Sequence, residues 1–402
     1  MIPRFAPSFG SAELTAALRP GGAADVLAFE AACGQAFGGQ AIAFPYGRAA
    51  LAAFLQSVGL QGADVILPSY TCSVVAHAVV LSGNTPVFVD NTRVDFNMDL
   101  DEVEAAITER TGAIIATHLF GFPLDVDRLR DCVERAERRL GRRIWIVQDC
   151  AHSFGARWHG RLVSAERDVA LFGLNISKVL SAIFGGMLTC QDAGLASQVR
   201  RFRDERFQAA SLSKSLLRFV YLLATYPAFQ GALYGVVHWL QYETPLLNRM
   251  ARAYHLDDEI RFPPDAGEQM LPIEARVGLV QLGRYPAMMR RRVEHATRYV
   301  EALSRVPGWQ LPPLVEGATW SHFPVLVEDR AAAVKHFAAQ GVHIGEVIEY
   351  SVAHLPSYAR YAQGRDWPHA RYCSEHMINL PVHPHLTDGE RERVIAAAHR
   401  LH

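Results

Sequence analysis

The sequence predicts an α/β fold: a mainly parallel central sheet with helices on both faces, followed by a smaller C-terminal α+β part. Three observations carry this. Up to residue 149, short apolar strands alternate with longer helical stretches. Those strands are apolar at nearly every position, as in a sheet covered on both faces, and do not alternate. The chain has 402 residues, half of them apolar and a fifth charged, enough for more than one domain and a large core.

Residues 20–40 read as a helix ended by Gly38-Gly39, glycine being the residue that accepts the left-handed turn after a helix. Phe44-Pro45-Tyr46-Gly47-Arg48-Ala49 is a glycine turn opening a helix to about Val58. Gly62-Ala63-Asp64 turns into a buried strand ending at Pro68, residues 71–82 are helical, and 86–90 form a strand. Leu100 to Glu109 is helical and 113–118 a strand; Val126 to Leu140 is helical, and the strand after it ends on Asp149. In such sheets ligands sit at the carboxyl ends of the strands. Asp149, His118, the Gly47 turn and the Ser69-Tyr70-Thr71 turn all fall there.

The second half starts a long helix at Leu271, ending near Leu303. His322 to Val327 alternates like an open-faced strand, 331–341 is helical, 342–347 is a strand or turn, and 379–382 is a further strand. Thr387 to Leu401 is a terminal helix, with Thr387 as N-cap and Glu390 at the capping-box position. These readings divide the chain into a large domain, 1–250, and a small one, 251–402.

Forty basic and 41 acidic side chains nearly cancel without blocks of like charge, which argues against nucleic acid as a partner. The six cysteines are scattered without CxxC spacing and read as thiols of a reducing compartment; no disulfide framework and no metal site is expected. Residues 1–7 lack a charged start followed by an apolar core, so no signal peptide is expected. Between Arg218 and Glu243 no residue carries a formal charge. That length could cross a bilayer, but Pro227, Gly231 and Gly235 interrupt it. The reading is an apolar insertion at about 215–242, two short helices broken around Pro227 and buried in the core or a subunit interface. Peripheral membrane contact through 219–242 stands second.

One side chain carries the chemistry. Lys178 follows the apolar run 169–174 and precedes Gly185-Gly186 and another apolar run, downstream of Asp149 at its strand end. A lysine in a turn and an acid at a strand end are the parts of a pyridoxal phosphate (PLP) site. There the lysine holds the aldehyde as a Schiff base and the acid keeps the pyridine nitrogen protonated. On these residues alone, a surface lysine in a strand-to-strand loop accounts for the pattern equally well.

An ordered set of motifs goes further: Gly47-Arg-Ala-Ala-Leu51, Asp64-Val-Ile-Leu-Pro-Ser-Tyr-Thr71, Asn84-Thr-Pro-Val-Phe-Val-Asp90, Thr117-His-Leu-Phe-Gly121, Gln148-Asp-Cys-Ala-His-Ser-Phe-Gly155, Ser177-Lys178, Gly185-Gly186 and Leu380-Pro-Val-His-Pro384. The set resembles the DegT/DnrJ/EryC1/StrS aminotransferases, the sugar aminotransferase branch of fold type I PLP enzymes. The resemblance implies Lys178 as the Schiff-base lysine and Asp149 as partner of the pyridine nitrogen. It places His152 by the cofactor ring, and Gly47, Arg48 and Ala49 in the turn that holds the phosphate; a helix start suits an anion. The chain departs from the family in two places. Gly173-Leu174-Asn175 stand where Ser-Phe-His is usual, leaving Asn175, Ser177 or a neighbouring subunit to supply the phosphate donor. Cys72 stands where an aromatic often stacks on the cofactor, leaving Cys72, Tyr70 or another aromatic to cover the ring.

The expectation is a cytoplasmic, homodimeric aminotransferase that moves an amino group from glutamate to a nucleotide-linked keto-sugar, with peripheral contact at the inner membrane face as the second reading of its location. A non-sugar or lipid-linked ketone, and a silent PLP-fold sensor or scaffold, are the alternatives.

Overall fold

The computed structural model describes residues 1–228, 259–345 and 347–401. The first half builds a seven-stranded sheet. Its strands are β1 Gln40–Phe44, β2 Asp64–Pro68, β3 Thr85–Val89, β4 Thr111–Thr117, β5 Trp145–Asp149, then, after a small hairpin (β6 Arg157–Trp158 and β7 Arg161–Leu162), β8 Val169–Gly173 and β9 Gly186–Cys190. The order across the sheet is β1-β9-β8-β5-β4-β2-β3. Neighbours from β8 to β3 pair in parallel, while β9 runs antiparallel to both β8 and β1.

The helices of this half are α1 Ser11–Leu18, α2 Ala23–Phe37, α3 Gly47–Ser57, α4 Ser73–Leu81, α5 Leu100–Ala106, α6 Val126–Leu140 and α7 Ala193–Arg206. They cover both faces. Val65, Leu67, Ile115 and Val147 pack on the α3/α4 side, whereas Ile66, Ile114 and Ile146 pack on the α5/α6 side. Since successive strand residues point to opposite faces, burial on both explains the unbroken apolar runs. Local chemistry sets the ends of α6: the Asp125 carboxylate accepts the Arg128 amide at 2.9 Å, and Gly141 turns left-handed at φ 66°.

Helix α8, Leu212–Ala228, opens the apolar insertion. It starts before residue 215 and carries Pro227 in its last described turn. The remainder of the insertion, and the expected boundary at 250, lie outside the described residues. The apolar face of α8 points away from the core of its own chain. Lys214, Arg218 and Leu222 face inward, while Leu212, Leu216, Leu217, Val220 and Leu223 are exposed. The cause is ionic: Lys214 and Arg218 meet Asp265, Glu268 and Glu274, and those pairs fix which face turns in. Among the described residues no helix is long and apolar enough to cross a membrane.

The second half comprises α9 Pro272–Leu303, β10 Phe323–Leu326, α10 Arg330–Ala339, α11 Ala359–Ala362, α12 Pro368–His376, β11 Met377–Leu380 and α13 Asp388–His399. β10 and β11 pair antiparallel, and their side chains join the same apolar core as the α3/α4 face of the large sheet. α13 has the expected capping box, Thr387 with Glu390.

Candidate active site

Every parallel strand delivers its last residue to one edge, and the antiparallel β9 begins there. The chain leaves that edge at Gly173 and returns at Gly186. The loop between is tied at its base: the Leu174 amide donates to the Gly185 carbonyl at 3.0 Å, and the Ala182 amide to the Leu174 carbonyl at 2.9 Å. Lys178 sits in this loop, its own amide donating to the Asn175 carbonyl at 3.0 Å. Exposed Asn175 shapes the turn from the other side, its Oδ1 accepting from the Ser177 hydroxyl at 2.7 Å and the Ser177 amide at 3.2 Å.

The Lys178 side chain passes over Gly173. A Cβ there would lie 3.3 Å from Lys178 Cε, so Gly173 is the floor of the lysine's path. The ammonium has no hydrogen bond or ion pair among the described residues. Burial lowers its pKa, opposed by Cys72 and Asp149, the nearby acidic groups.

Asp149 is buried at the end of β5. Its Oδ1 accepts the Ala151 amide at 3.1 Å, while Oδ2 has only the Thr117 hydroxyl at 3.5 Å. Burial raises its pKa; the Ala151 amide and the Lys178 charge act against that rise.

Across the edge, Tyr46 is the N-cap of α3, and its side chain caps none of the first-turn amides, which belong to Gly47, Arg48 and Ala49. Uncapped amides at the start of an eleven-residue helix attract an anion. The turn lies on the start of β9: a Cβ on Gly186 would be 2.3 Å from the Gly47 nitrogen and from the Tyr46 carbonyl carbon, which is why that position is glycine.

His152 lies in the same site. Its Nδ1 accepts the Phe120 amide at 3.4 Å, and its ring stacks on Phe120 with centroids 5.9 Å apart. Burial and the Lys178 and His322 charges hold its pKa well below the ordinary value, so the ring is neutral. Cys72, the half-buried N-cap of α4, is near enough to Lys178 to act on its charge.

Tyr70 does not face the site. It is fully buried, its hydroxyl bonds the Ile348 carbonyl at 3.2 Å, and its ring packs on Phe96 and Phe120. The residue behind a strand end is drawn into the core here because Phe120 and Phe96 offer an aromatic pocket. His118 is likewise structural: Nε2 pairs with Gln148 Oε1 and Nδ1 accepts the Leu124 amide, both at 2.9 Å.

Two residues missed in the sequence complete the site. The His322 ring lies 4.8 Å from that of His152, and Lys178 acts on its charge too. Arg292, buried on α9, donates to the carbonyls of Trp320 and Ser321 at 3.2 and 2.8 Å, holding the turn that presents His322. Phe120, Ile183 and Trp320, which flank these groups, all have left-handed backbone, with φ of 56°, 72° and 51°. Such conformations are costly outside glycine and collect where a site demands them.

A mostly parallel sheet with a half-buried lysine, a buried acid and an open helix start along one edge defines a PLP-dependent transferase of fold type I. The comparisons make it specific: the model of the DegT/DnrJ/EryC1/StrS aminotransferase family matches residues 19–217 and 264–399, and the chain belongs to that family. Among curated proteins it is 24% identical over 350 residues to the uncharacterised protein MJ1066 of Methanocaldococcus jannaschii, covering 84% of this chain and 79% of that one. Among solved structures it resembles the sugar aminotransferase CalS13 of Micromonospora echinospora, with TM-score 0.78, 22% identity and full coverage of both chains. DesV of S. venezuelae gives TM-score 0.75 and 26% identity over 97% of this chain and 94% of that one. The protein is a PLP-dependent aminotransferase.

Proposed function

We propose that the enzyme moves the amino group of glutamate to a nucleotide-linked keto-sugar, with Lys178 as the catalytic lysine. The observation that carries this is the Lys178 ammonium, without a hydrogen-bond partner among the described residues and within electrostatic reach of buried Asp149, at the edge where α3 starts. The residues fit PLP. The lysine is free to react, the poorly paired Oδ2 of Asp149 suits a ring N–H, and the uncapped amides of Gly47, Arg48 and Ala49 suit the phosphate.

The chemistry supplied by bound PLP is capture of an amine at its aldehyde and uptake of carbanion charge into its ring. Lys178 would hold that aldehyde and would carry the proton taken from the donor α-carbon; its lowered pKa keeps more of it in the basic form. Asp149 holds a proton on the ring nitrogen. Neutral His152 would offer the ring an uncharged wall. Cys72 borders the same space, and Asn175 keeps the lysine loop in shape. The sugar assignment is supported by the family and by the likeness to CalS13.

Borohydride should fix the cofactor on Lys178, glutamate should bleach the cofactor's aldehyde absorbance, and mass spectrometry against keto-sugar nucleotides should find an aminated product. Lys178→Ala should abolish all three. Labelling of another lysine refutes the site. An acceptor found only among lipid-linked ketones refutes the sugar reading, and the exposed leucines of α8 favour that second class.

The same reading includes a homodimer. Its support is the outer face of α8, where Leu212 is 89% and Leu216 64% exposed, apolar surface of the kind a second copy covers. Light scattering of the wild type and of Leu216→Glu tests it; a monomeric wild type that floats with lipid vesicles would assign the face to a membrane surface. A cytoplasmic location is supported by six free cysteines, five of them buried.

A further inference from the structure

The family match stops at residue 217 and resumes at 264, so Arg218 is the first residue outside it. It is also among the most deeply buried charges of the chain, at 2% exposure. Its guanidinium makes three directed contacts. Nε donates to Glu274 Oε1 at 3.0 Å, and Nη2 donates to Asp265 Oδ2 and to the Tyr46 hydroxyl, each at 2.8 Å. The Tyr46 hydroxyl in turn donates to Asp265 Oδ1 at 2.7 Å. The guanidinium also lies 4.0 Å over the Phe184 ring, which meets the Tyr46 ring edge-on at 6.1 Å.

Tyr46 and Phe184 are not neutral places to hold. Tyr46 is the N-cap of α3; its carbonyl accepts the Ala50 amide at 3.0 Å, and Gly47 follows it directly. Phe184 precedes Gly185-Gly186, where the Lys178 loop rejoins the sheet. One guanidinium from α8 therefore touches both walls of the cofactor edge. Anchoring α8 does not need Tyr46, because Lys214 and Glu274 serve that end already: Lys214 pairs with Asp265 at 3.3 Å, and Arg218 with Glu274.

We propose that Arg218, acting through Tyr46, is a positioning residue for the cofactor phosphate, so that the inserted helix α8 tunes the affinity of the α3 turn for that phosphate. This rests on the PLP site proposed above. Fixing the Tyr46 ring fixes the φ,ψ of the residue whose peptide group starts α3. The Gly47, Arg48 and Ala49 amides then point as a set with little reorganisation on binding an anion.

The test uses the full chain with cofactor removed, titrated with PLP and with pyridoxal, which lacks the phosphate. Tyr46→Phe deletes the link and leaves α8 tied by Lys214 and Glu274. The expected result is a roughly tenfold weaker PLP dissociation constant, the size of one lost charge-assisted hydrogen bond. Pyridoxal affinity should stay unchanged. Arg218→Lys, which cannot span the three partners with a fork, should match it. The double variant should be no weaker than Tyr46→Phe alone.

Equal loss for PLP and pyridoxal overturns the proposal, as do additive losses in the double variant. So does unchanged PLP binding by Tyr46→Phe. A wild type that fails to bind PLP, or that borohydride labels away from Lys178, instead removes the site on which the proposal rests. If Tyr46→Phe lowers the apo melting temperature, the Arg218→Lys comparison of PLP with pyridoxal decides by the same criteria.

Discussion

Replacing Asp149 by asparagine separates the stability of the site from its chemistry. The carboxylate is buried with one good hydrogen bond, to the Ala151 amide, which an asparagine oxygen retains. Burial raises its pKa, so the folded chain holds that proton more tightly than the unfolded chain does. Stability from this group is therefore present below the ordinary carboxylate pKa and lost as pH rises through the raised folded value. Asparagine, uncharged at every pH, escapes that loss. Apo Asp149→Asn should melt no lower than wild type at neutral pH.

Activity should move the other way. An opposite charge at contact distance shifts a pKa by about one to three, and each such step is worth about 1.4 kcal/mol. Losing the carboxylate beside a ring nitrogen should then slow the glutamate half-reaction by about 10- to 1000-fold. Differential scanning fluorimetry of the apo protein and single-turnover absorbance with glutamate measure the two effects. A variant within twofold of the wild-type rate would refute the placement of the ring nitrogen against Asp149.

Two further outcomes follow from packing and burial. Gly186→Ala puts a Cβ 2.3 Å from two backbone atoms of the Tyr46–Gly47 turn. Neither atom can swing aside as a side chain would, so urea unfolding should show a loss of about 3 kcal/mol or more; an unchanged midpoint contradicts the close approach. Burial depresses the pKa of His118 to about 4, with the Gln148 bond opposing. A depressed value means stability present above the unfolded pKa of about 6.5 and lost as pH falls toward 4, about 3 kcal/mol in all. His118→Asn should flatten that slope in urea titrations at successive pH values, and a wild type with level stability over the window would refute the buried neutral ring.

The parts legible in the sequence were those set by local chemistry. Helix α6 was read at its observed bounds because Asp125 and Gly141 stop it by side-chain capping and a left-handed turn. The Thr387–Glu390 box was legible for the same reason. β1 was missed because Gln40-Ala-Ile-Ala-Phe44 carries two alanines and earns its strand only by pairing with β9, a partner far along the chain. His322 and Arg292 were missed because their relation to Lys178 exists only once β10 packs beside the large sheet. Tyr70 stayed open beside Cys72 as a cover for the ring because nothing near it in the chain reveals Phe96 and Phe120 in the core. The inward face of α8 was hidden similarly: the uncharged run drew attention, while Lys214 and Arg218, at its margin, settle its orientation through acids near residue 270.

The tied base of the Lys178 loop has a kinetic consequence. With the Leu174 amide on the Gly185 carbonyl and Ala182 on Leu174, the loop is closed on two adjacent strands of the sheet. The entropy of bringing its ends together has been met by β8 and β9, not by the ligand. Reorientation of the Lys178 side chain then needs only side-chain rotations, on the nanosecond scale, with the backbone held still. The amides of Leu174 and Ala182 should exchange their hydrogens only when the sheet itself opens, in the slow group with the core strands and not with the surface loops.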